Sequence, residues 1–333
     1  MKAVVYEQYG APEVLHVAEI AKPTPKDGEI LVKVHAATVG FGDLIARDFK
    51  RVTPRTFNML GLFWLMAKLS FGVNAPRQPI LGAEFAGEVE AVGGAVTRFK
   101  VGDAVFGYRG QNLGAYAEYL CVPADGMVEI KPANLTYEEA AAIPYGALTA
   151  LNLLRKVDIK QGQKVLINGA SGGIGSAALQ LAKHFGAHVT GVAATPRLDL
   201  MRALGADKVL DYTQDDFTKS GDSTYDVIFD ILGRSSFARA KKALKPDGRF
   251  LLASFKLKQL GQMIWTSWRG GKRVICALSS EKPADLTLIK ELVEAGTLKV
   301  IIDRCYPLDQ AAAAHRHAES GNRRGSIVLS MQA

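Results

Sequence analysis

Residues Val165-Leu-Ile-Asn-Gly-Ala-Ser-Gly-Gly-Ile-Gly175 decide the fold. The apolar run Lys164-Val-Leu-Ile-Asn168 reads as a strand buried on both faces, and it leads straight into a glycine-rich turn. Beyond the turn, apolar residues at 174, 177, 178, 181, 182 and 185 form a helical stripe, which predicts a helix from Ile174 to Phe185. Ala170, Gly172 and Gly175 fit the spacing G-x-G-x-x-G, with alanine in first place. At the second position a glycine lets the main chain approach a pyrophosphate. At the third it lets the helix pack close to the strand, whose following helix N-terminus supplies N–H donors and the positive end of its dipole. A glycine pattern alone is weak; a strand before it and an amphipathic helix after it make it specific. Ala170, Ser171, Gly172, Gly173, Ile174 and Gly175 are therefore the predicted dinucleotide cradle.

The segments on either side follow the same alternation. His188-Val-Thr-Gly-Val192 reads as the next strand, and Leu198–Leu204 as a short helix closed by Gly205. Further strands are expected at 207–212, 225–232, 248–254 and 273–279. Six strands alternating with helices predict an α/β doubly wound parallel sheet, a Rossmann domain. Before about residue 125 the pattern differs: short half-buried strands at Ala3–Tyr6, Glu29–Val34, Gly87–Val92 and Asp103–Gly107 are broken by Gly10, Pro12, Pro23, Pro25 and Gly28. After about 280 come a helix (Asp285–Ala295), a strand-like run (Leu298–Asp303), a helix (Leu308–Glu319) and Gly325–Ser330.

A chain of 333 residues exceeds the usual size of a single core, which predicts two domains. With 48% hydrophobic and 22% charged residues it is neither disordered nor membrane-spanning in composition. Its net charge of +8 suits anionic ligands, but the cations are scattered and no basic block predicts nucleic acid. Cys121, Cys276 and Cys305 stand far apart, so neither a disulfide framework nor a cysteine-rich zinc lobe is expected, and reduced thiols fit a cytoplasmic enzyme. The opening MKAVVYEQYG has no long apolar region and predicts no secretory signal.

Sites for NAD place an acid about 20 residues beyond the glycines to hold the ribose 2′-hydroxyl. Here Val192-Ala-Ala-Thr-Pro-Arg197 has none before Asp199. Thr195 and Arg197, with Tyr212 after the third strand, instead suit a 2′-phosphate, and NADP(H) is the expected cofactor.

Five segments together resemble the medium-chain dehydrogenase/reductase superfamily. They are Pro23–Lys33, Pro79–Gly87, Phe99–Gly107, Gly114–Tyr119 and the glycine loop, and they occur in that order over nearly the whole chain. The resemblance implies a GroES-like irregular β domain (1–125 and 280–333) and a Rossmann NADP-binding domain (126–279), with the active site between them. Zinc members ligate the metal through an early Cys and the His of Gly-His-Glu. Here those regions read Ala37-Thr-Val-Gly-Phe-Gly-Asp43 and Gly82-Ala83-Glu84, without Cys or His, so no metal is expected. The sequence is then similar to the zinc-free quinone oxidoreductase branch, in which NADPH gives hydride to a quinone or a conjugated C=C bond. By the same resemblance, Thr149, Leu232-Gly233, Ser254-Phe255 and Arg324 are implied as cofactor contacts. The branch often has Asn where this chain has Gly40. Asp43 is a cleft carboxylate or a structural hydrogen-bonding residue; Tyr145 is a proton donor or a packing residue.

Phe57–Val73 reads as an apolar insertion; its Phe63, Trp64 and Met66, with Phe41, are expected to wall an apolar substrate pocket, or the segment is a core or interface helix. A second apolar patch, Met263–Trp268, precedes the sixth strand and is expected to face the same cleft. In the family that strand, 273–279 here, pairs across a homodimer. Two other readings stay open: zinc-free alcohol or carbonyl redox on a bulky apolar substrate, and a non-catalytic protein binding NADPH or RNA.

Overall fold

The computed structural model describes residues 1–57, 59–219 and 223–331; Asn58, within the apolar insertion, lies outside them. Two sheets organise the chain. The first is parallel throughout and six-stranded. Its spatial order is Lys208–Asp211, His188–Ala193, Lys164–Asn168, Tyr225–Asp230, Leu244–Leu252 and Arg273–Cys276. Numbered along the chain this is 3-2-1-4-5-6, the doubly wound arrangement, and the order reverses between Lys164–Asn168 and Tyr225–Asp230.

The second sheet has seven strands. Glu29–Thr38 lies at its centre, flanked by Glu84–Val92, Tyr119–Pro123 and Ser326–Ser330; Ala104–Tyr108, Val128–Ile130 and Ile302–Pro307 extend it. The run expected at Leu298–Asp303 begins as a strand only at Ile302. Before it, the Gln180 side chain donates to Lys299 O and accepts from Lys299 N–H, at 3.1 and 2.8 Å. An amide side chain thus takes the place that a neighbouring strand would occupy.

Helices Tyr137–Ala141 and Pro144–Arg155 join the sheets. Proline opens the second at a position whose N–H would lie unpaired in any helix. Nearly every residue from Pro144 to Leu154 is buried. Ala140, Leu148 and Leu151 share one core cluster with Ala36, Ala86 and Phe106 of the seven-stranded sheet, and with Val165, Ile167, Val227 and Phe229 of the parallel one. Helix Pro283–Glu294 joins this cluster through Leu286, Ile289 and Val293; its Asp285 accepts from Asn152 Nδ2 at 3.1 Å and pairs with Arg155.

The apolar insertion forms helix Gly61–Phe71, and the second apolar patch belongs to helix Leu257–Arg269. Met59 and Leu60, ahead of the first, pack with Leu260 and Met263 of the second against the same core cluster. Lys256 Nζ donates to Arg55 O at 2.8 Å, which fastens the two segments side by side.

Candidate functional site: a dinucleotide cleft

The glycine turn leaves the C-terminal end of Lys164–Asn168, where the strand order reverses and a crevice opens in doubly wound sheets. Helix Gly173–His184 starts from Gly172, which is extended at the cap. A Cβ on Gly175 would lie 2.1 Å from Gly169 O, so only glycine lets the helix seat here. Gly172 and Gly173 would meet no atom closer than 3.8 Å; their outer side is open, as a main chain that receives phosphate oxygens must be. Ala170 is fully buried and packs towards Gly191.

The opposite lip is Leu232-Gly233. Buried Asp230 accepts from Ser235 N–H at 2.7 Å and from Asn168 Nδ2 at 3.1 Å, lacing this loop to the glycine turn. Burial pushes the Asp230 carboxyl above its ordinary range. Leu232 reaches over Gly169, where a Cβ would stand 3.2 Å from its Cγ. Helix Pro144–Arg155 crosses beneath the turn: a Cβ on Gly146 would lie 2.7 Å from Gly173 O. One turn further on, Thr149 is 8% exposed and its hydroxyl has no partner among the described residues. A buried hydroxyl without a partner is costly unless something else completes it. Both observations fit a bound dinucleotide.

At the far end of the crevice, Thr195 donates its hydroxyl to Asp211, whose other oxygen accepts from Thr213 N–H at 2.9 Å and from its hydroxyl at 2.7 Å. These bonds hold the Asp211 carboxyl below the ordinary carboxylate range. Sequence spacing missed this acid, because it reaches Thr195 through the neighbouring strand, with Asp211 level with Ala193. Arg197 donates to Gly321 O, and Tyr212 is 57% exposed. Of the two C-terminal arginines, Arg324 is exposed, whereas half-buried Arg323 lies beside Arg197. Burial, then the Arg197 charge, pushes the Arg323 guanidinium below its usual value. Arg323 was not singled out in the sequence; one position decides it within an aperiodic turn.

Asp43 is 1% exposed. It accepts from Gly40 N–H and Gly82 N–H, both at 2.8 Å, and burial lifts its carboxyl to about 6. Both oxygens are engaged by main chain, so it clamps the first helix, Phe41–Arg47, to the Gly82 turn. Glu84 stands in the Gly82-Ala83-Glu84 motif that lacks a histidine, and the sequence gives no sign of its central place. It accepts the Tyr145 N–H at 2.7 Å and the Thr38 hydroxyl at 2.5 Å, and burial lifts it to about 7. The Tyr145 ring lies 5.8 Å from that of Tyr108, and burial raises its phenol above the ordinary value, which keeps it protonated. Behind Thr38 runs a buried chain. Arg47 Nη1 donates to His315 Nδ1 (3.0 Å), His315 Nε2–H to Tyr116 Oη (3.2 Å), and the Tyr116 hydroxyl to Thr38 O (3.2 Å). Burial and the Arg47 charge push His315 down to about 3, so it stays neutral.

Ser254 is half-buried beside Gly233, but the Phe255 side chain turns away into the core with Phe250 and Phe237, so only its main chain is left for the cleft. Phe41 is 53% exposed; Phe63 and Trp64 are half-buried, and Trp64 Nε1 donates to Val52 O at 2.7 Å. Among the described residues no three His, Cys, Asp or Glu are placed to hold a metal ion.

Known proteins match this architecture. The alcohol dehydrogenase GroES-like domain family matches residues 26–132, and the zinc-binding dehydrogenase family matches 204–329. A quinone oxidoreductase of Sus scrofa is 33% identical, covering 99% of this chain and 97% of its own length. A 2-methylene-furan-3-one reductase of Solanum lycopersicum is 31% identical over 99% of this chain and 79% of the relative. The solved quinone oxidoreductase of Coxiella burnetii superposes with a TM-score of 0.84 at 29% identity, covering 100% of this chain and 99% of that one. Sequence, fold and crevice agree, and the chain belongs to the medium-chain dehydrogenase/reductase superfamily, in its quinone oxidoreductase-like branch, as an oxidoreductase of the kind that works with a nicotinamide cofactor.

Proposed function

We propose that this chain is an NADPH-dependent reductase that passes hydride to a quinone or to the C=C bond of an α,β-unsaturated carbonyl, without zinc. The observation that carries it is the crevice at the strand-order reversal, where open Gly172 and Gly173 face outward and the buried Thr149 hydroxyl lacks a partner among the described residues. The turn from Ala170 to Gly175 would take the pyrophosphate, Leu232-Gly233 would cover the nicotinamide half with Ser254, and Thr149 would hydrogen-bond it. Bound NADPH supplies the hydride; the protein orients it and keeps water out. Arg197 and Arg323, with Thr195 and Tyr212, would receive the 2′-phosphate; Arg324 is more exposed and reaches solvent.

Zinc chemistry needs a Cys or His donor set. The corresponding regions, Ala37–Asp43 and Gly82-Ala83-Glu84, hold no Cys or His, and the Glu84 oxygens are already taken by Thr38 and Tyr145. Charge developing on the acceptor must then meet hydrogen-bond donors, and Tyr145, kept protonated, is the residue we assign to donate a proton. Asp43 is a positioning residue. Phe41, Phe63 and Trp64 are the apolar walls offered to the acceptor, and the names of the two curated relatives, a quinone and an enone reductase, support that acceptor class. We place the enzyme in the cytoplasm, as a homodimer paired through the edge strand Arg273–Cys276.

Asp211 supports a second reading, in which NAD(H) serves an alcohol–carbonyl couple, because an acid beside Thr195 suits a free ribose hydroxyl. Oxidation of NADPH and of NADH, followed optically with quinones, enones and aldehydes in the presence and absence of a chelator, separates the two. Turnover of quinones or enones favouring NADPH and indifferent to chelator is expected. A preference for NADH with aldehydes, or loss of activity with chelator, overturns the proposal.

A further inference from the structure

Two stretches of this chain have a composition unlike the rest. Residues 49–77 carry Lys50, Arg51, Arg55, Lys68 and Arg77; residues 256–273 carry Lys256, Lys258, Arg269, Lys272 and Arg273. Neither contains an acid, so against an overall charge of +8 these ten cations leave the remainder of the chain at net −2. The whole excess of positive charge sits in about one-seventh of the sequence. All three tryptophans, Trp64, Trp265 and Trp268, lie there too.

The fold brings both stretches to one place, through the Lys256–Arg55 bond and the shared packing of Met59, Leu60, Leu260 and Met263. Each helix then turns an apolar stripe to solvent. On Gly61–Phe71 it is Leu62 (65% exposed), Leu65 (47%), Met66 (57%) and Leu69 (52%), spaced as one helical face. On Leu257–Arg269 it is Leu257 (77%), Ile264 (52%), Trp265 (53%) and Trp268 (86%), again one face. Lys68 lies 5.0 Å from the ring of Trp64, and Arg269 lies 4.9 Å from that of Trp265. Among the described residues, only Arg51 of the ten cations makes an ion pair, to Asp48 at 3.4 Å. The helices are firmly seated: the Tyr9 hydroxyl lies 2.9 and 2.8 Å from the carbonyls of Phe71 and Gly72, and Thr266 Oγ1 accepts the Val274 N–H at 3.0 Å.

We infer that this face docks on an anionic lipid bilayer, with the two helices lying in the headgroup plane. Exposed Leu, Met and Trp stripes rimmed by Lys and Arg without acids are the composition of an interfacial helix. Tryptophan is the residue that favours the boundary between headgroups and acyl chains. Among the described residues no helix is long and apolar enough to cross a membrane, so the contact is superficial. A nucleic acid would satisfy the cations and leave the apolar stripes in water. A second copy stacked on the exposed stripes would set nine of these cations against nine, Arg273 belonging to the edge strand on which the proposed dimer pairs. An anionic bilayer answers both the charge and the apolar surface. Helix Leu257–Arg269 begins three residues past Ser254, so the docked face borders the crevice.

The inference stands apart from the proposed reaction, because binding is read without turnover. The full chain is mixed with vesicles of phosphatidylcholine, alone or with roughly one-third phosphatidylglycerol. Co-sedimentation with the anionic vesicles only is expected, with a blue shift of tryptophan emission and weakening at about 0.5 M salt. Leu65→Glu and Trp268→Glu are each expected to lower partitioning at least about tenfold, since each removes a large apolar side chain from the contact. Reversal of Lys258 and Arg269 to Glu is expected to lower it by well over tenfold, each lost cation costing about fivefold. Unchanged NADPH binding by these variants shows that they fold. Failure to bind anionic vesicles overturns the inference, as does binding indifferent to Leu65→Glu and Trp268→Glu. A solution dimer that Trp268→Glu splits also overturns it, because the face would then be covered by a second copy.

Discussion

Replacing Glu84 by Gln tests how the core beneath the crevice is held. Glu84 is buried, and its carboxyl is lifted from 4.5 to about 7, mainly by desolvation and against the Thr38 and Tyr145 hydrogen bonds. The native state therefore holds a proton that the unfolded chain has released between pH 4.5 and about 7. Protons bound more tightly in the native state make stability fall as pH rises. The loss begins near the unfolded value and is complete above about 7. A shift of this size corresponds to about 3 kcal/mol. The glutamine of Glu84→Gln is isosteric and uncharged: its carbonyl accepts the Tyr145 N–H, and its amide donates to the Thr38 hydroxyl oxygen. Urea unfolding of both proteins from pH 4.5 to 8 measures the difference. The variant is expected to match the wild type at the acid end and to exceed it by about 3 kcal/mol at pH 8, since groups common to both cancel. Parallel stability curves would refute the reasoning, because ionisation of Glu84 would then cost the native state nothing.

His315 behaves in the opposite sense. Its folded value of about 3 lies below its ordinary 6.5, so stability is lost as pH falls from about 6.5 towards 3, and His315→Gln should flatten that limb of the urea-midpoint profile. Thr149→Val removes a buried hydroxyl with no partner among the described residues; it should raise the melting temperature of the cofactor-free protein and weaken NADPH binding about 3- to 10-fold by fluorescence titration, the worth of one hydrogen bond. Arg323→Ala should raise KM for NADPH at least about tenfold while sparing NADH, as expected for a lost charge-assisted bond to phosphate. Arg47→Ala strips a buried guanidinium from Gly10 O, His315 and Glu319; calorimetry should show a loss of about 3 kcal/mol or more.

Much of the fold was legible because periodicity is local. The glycine loop and the stripe at 174, 177, 178, 181, 182 and 185 predict Ile174–Phe185, and the helix runs from Gly173 to His184 with Phe185 as its C-cap. The parallel strands were found within a few residues of their ends, since buried strands read as apolar runs. What the sequence hid was long-range pairing. Glu84 acquires its role from Thr38 and Tyr145, 46 and 61 residues away. Asp211 reaches Thr195 only through strand register, and Arg323 is chosen over Arg324 by a turn with no repeat to read. Phe255 and Ser254 are adjacent, but the strand ends at Leu252 and the chain bends at Ala253–Ser254, so the resemblance could implicate both while the fold sends the Phe255 side chain into the core and leaves only Ser254 near the cleft.

The pairing of Ser326–Ser330 with Glu29–Thr38 has a consequence for biosynthesis. Val328 lies level with Thr38, 290 residues earlier in the chain. At ribosomal speeds of about 5–20 residues per second, the older strand waits roughly 15–60 s for its neighbour. Tyr119–Pro123 has by then covered Glu29–Lys33, but the Ala36–Thr38 end of the same edge stays bare while the parallel sheet, whose strands all lie between Lys164 and Cys276, has all its strands. Such an edge is a template for wrong partners. The nascent chain is most exposed to aggregation, and most in need of a chaperone, just before its C-terminal strand emerges.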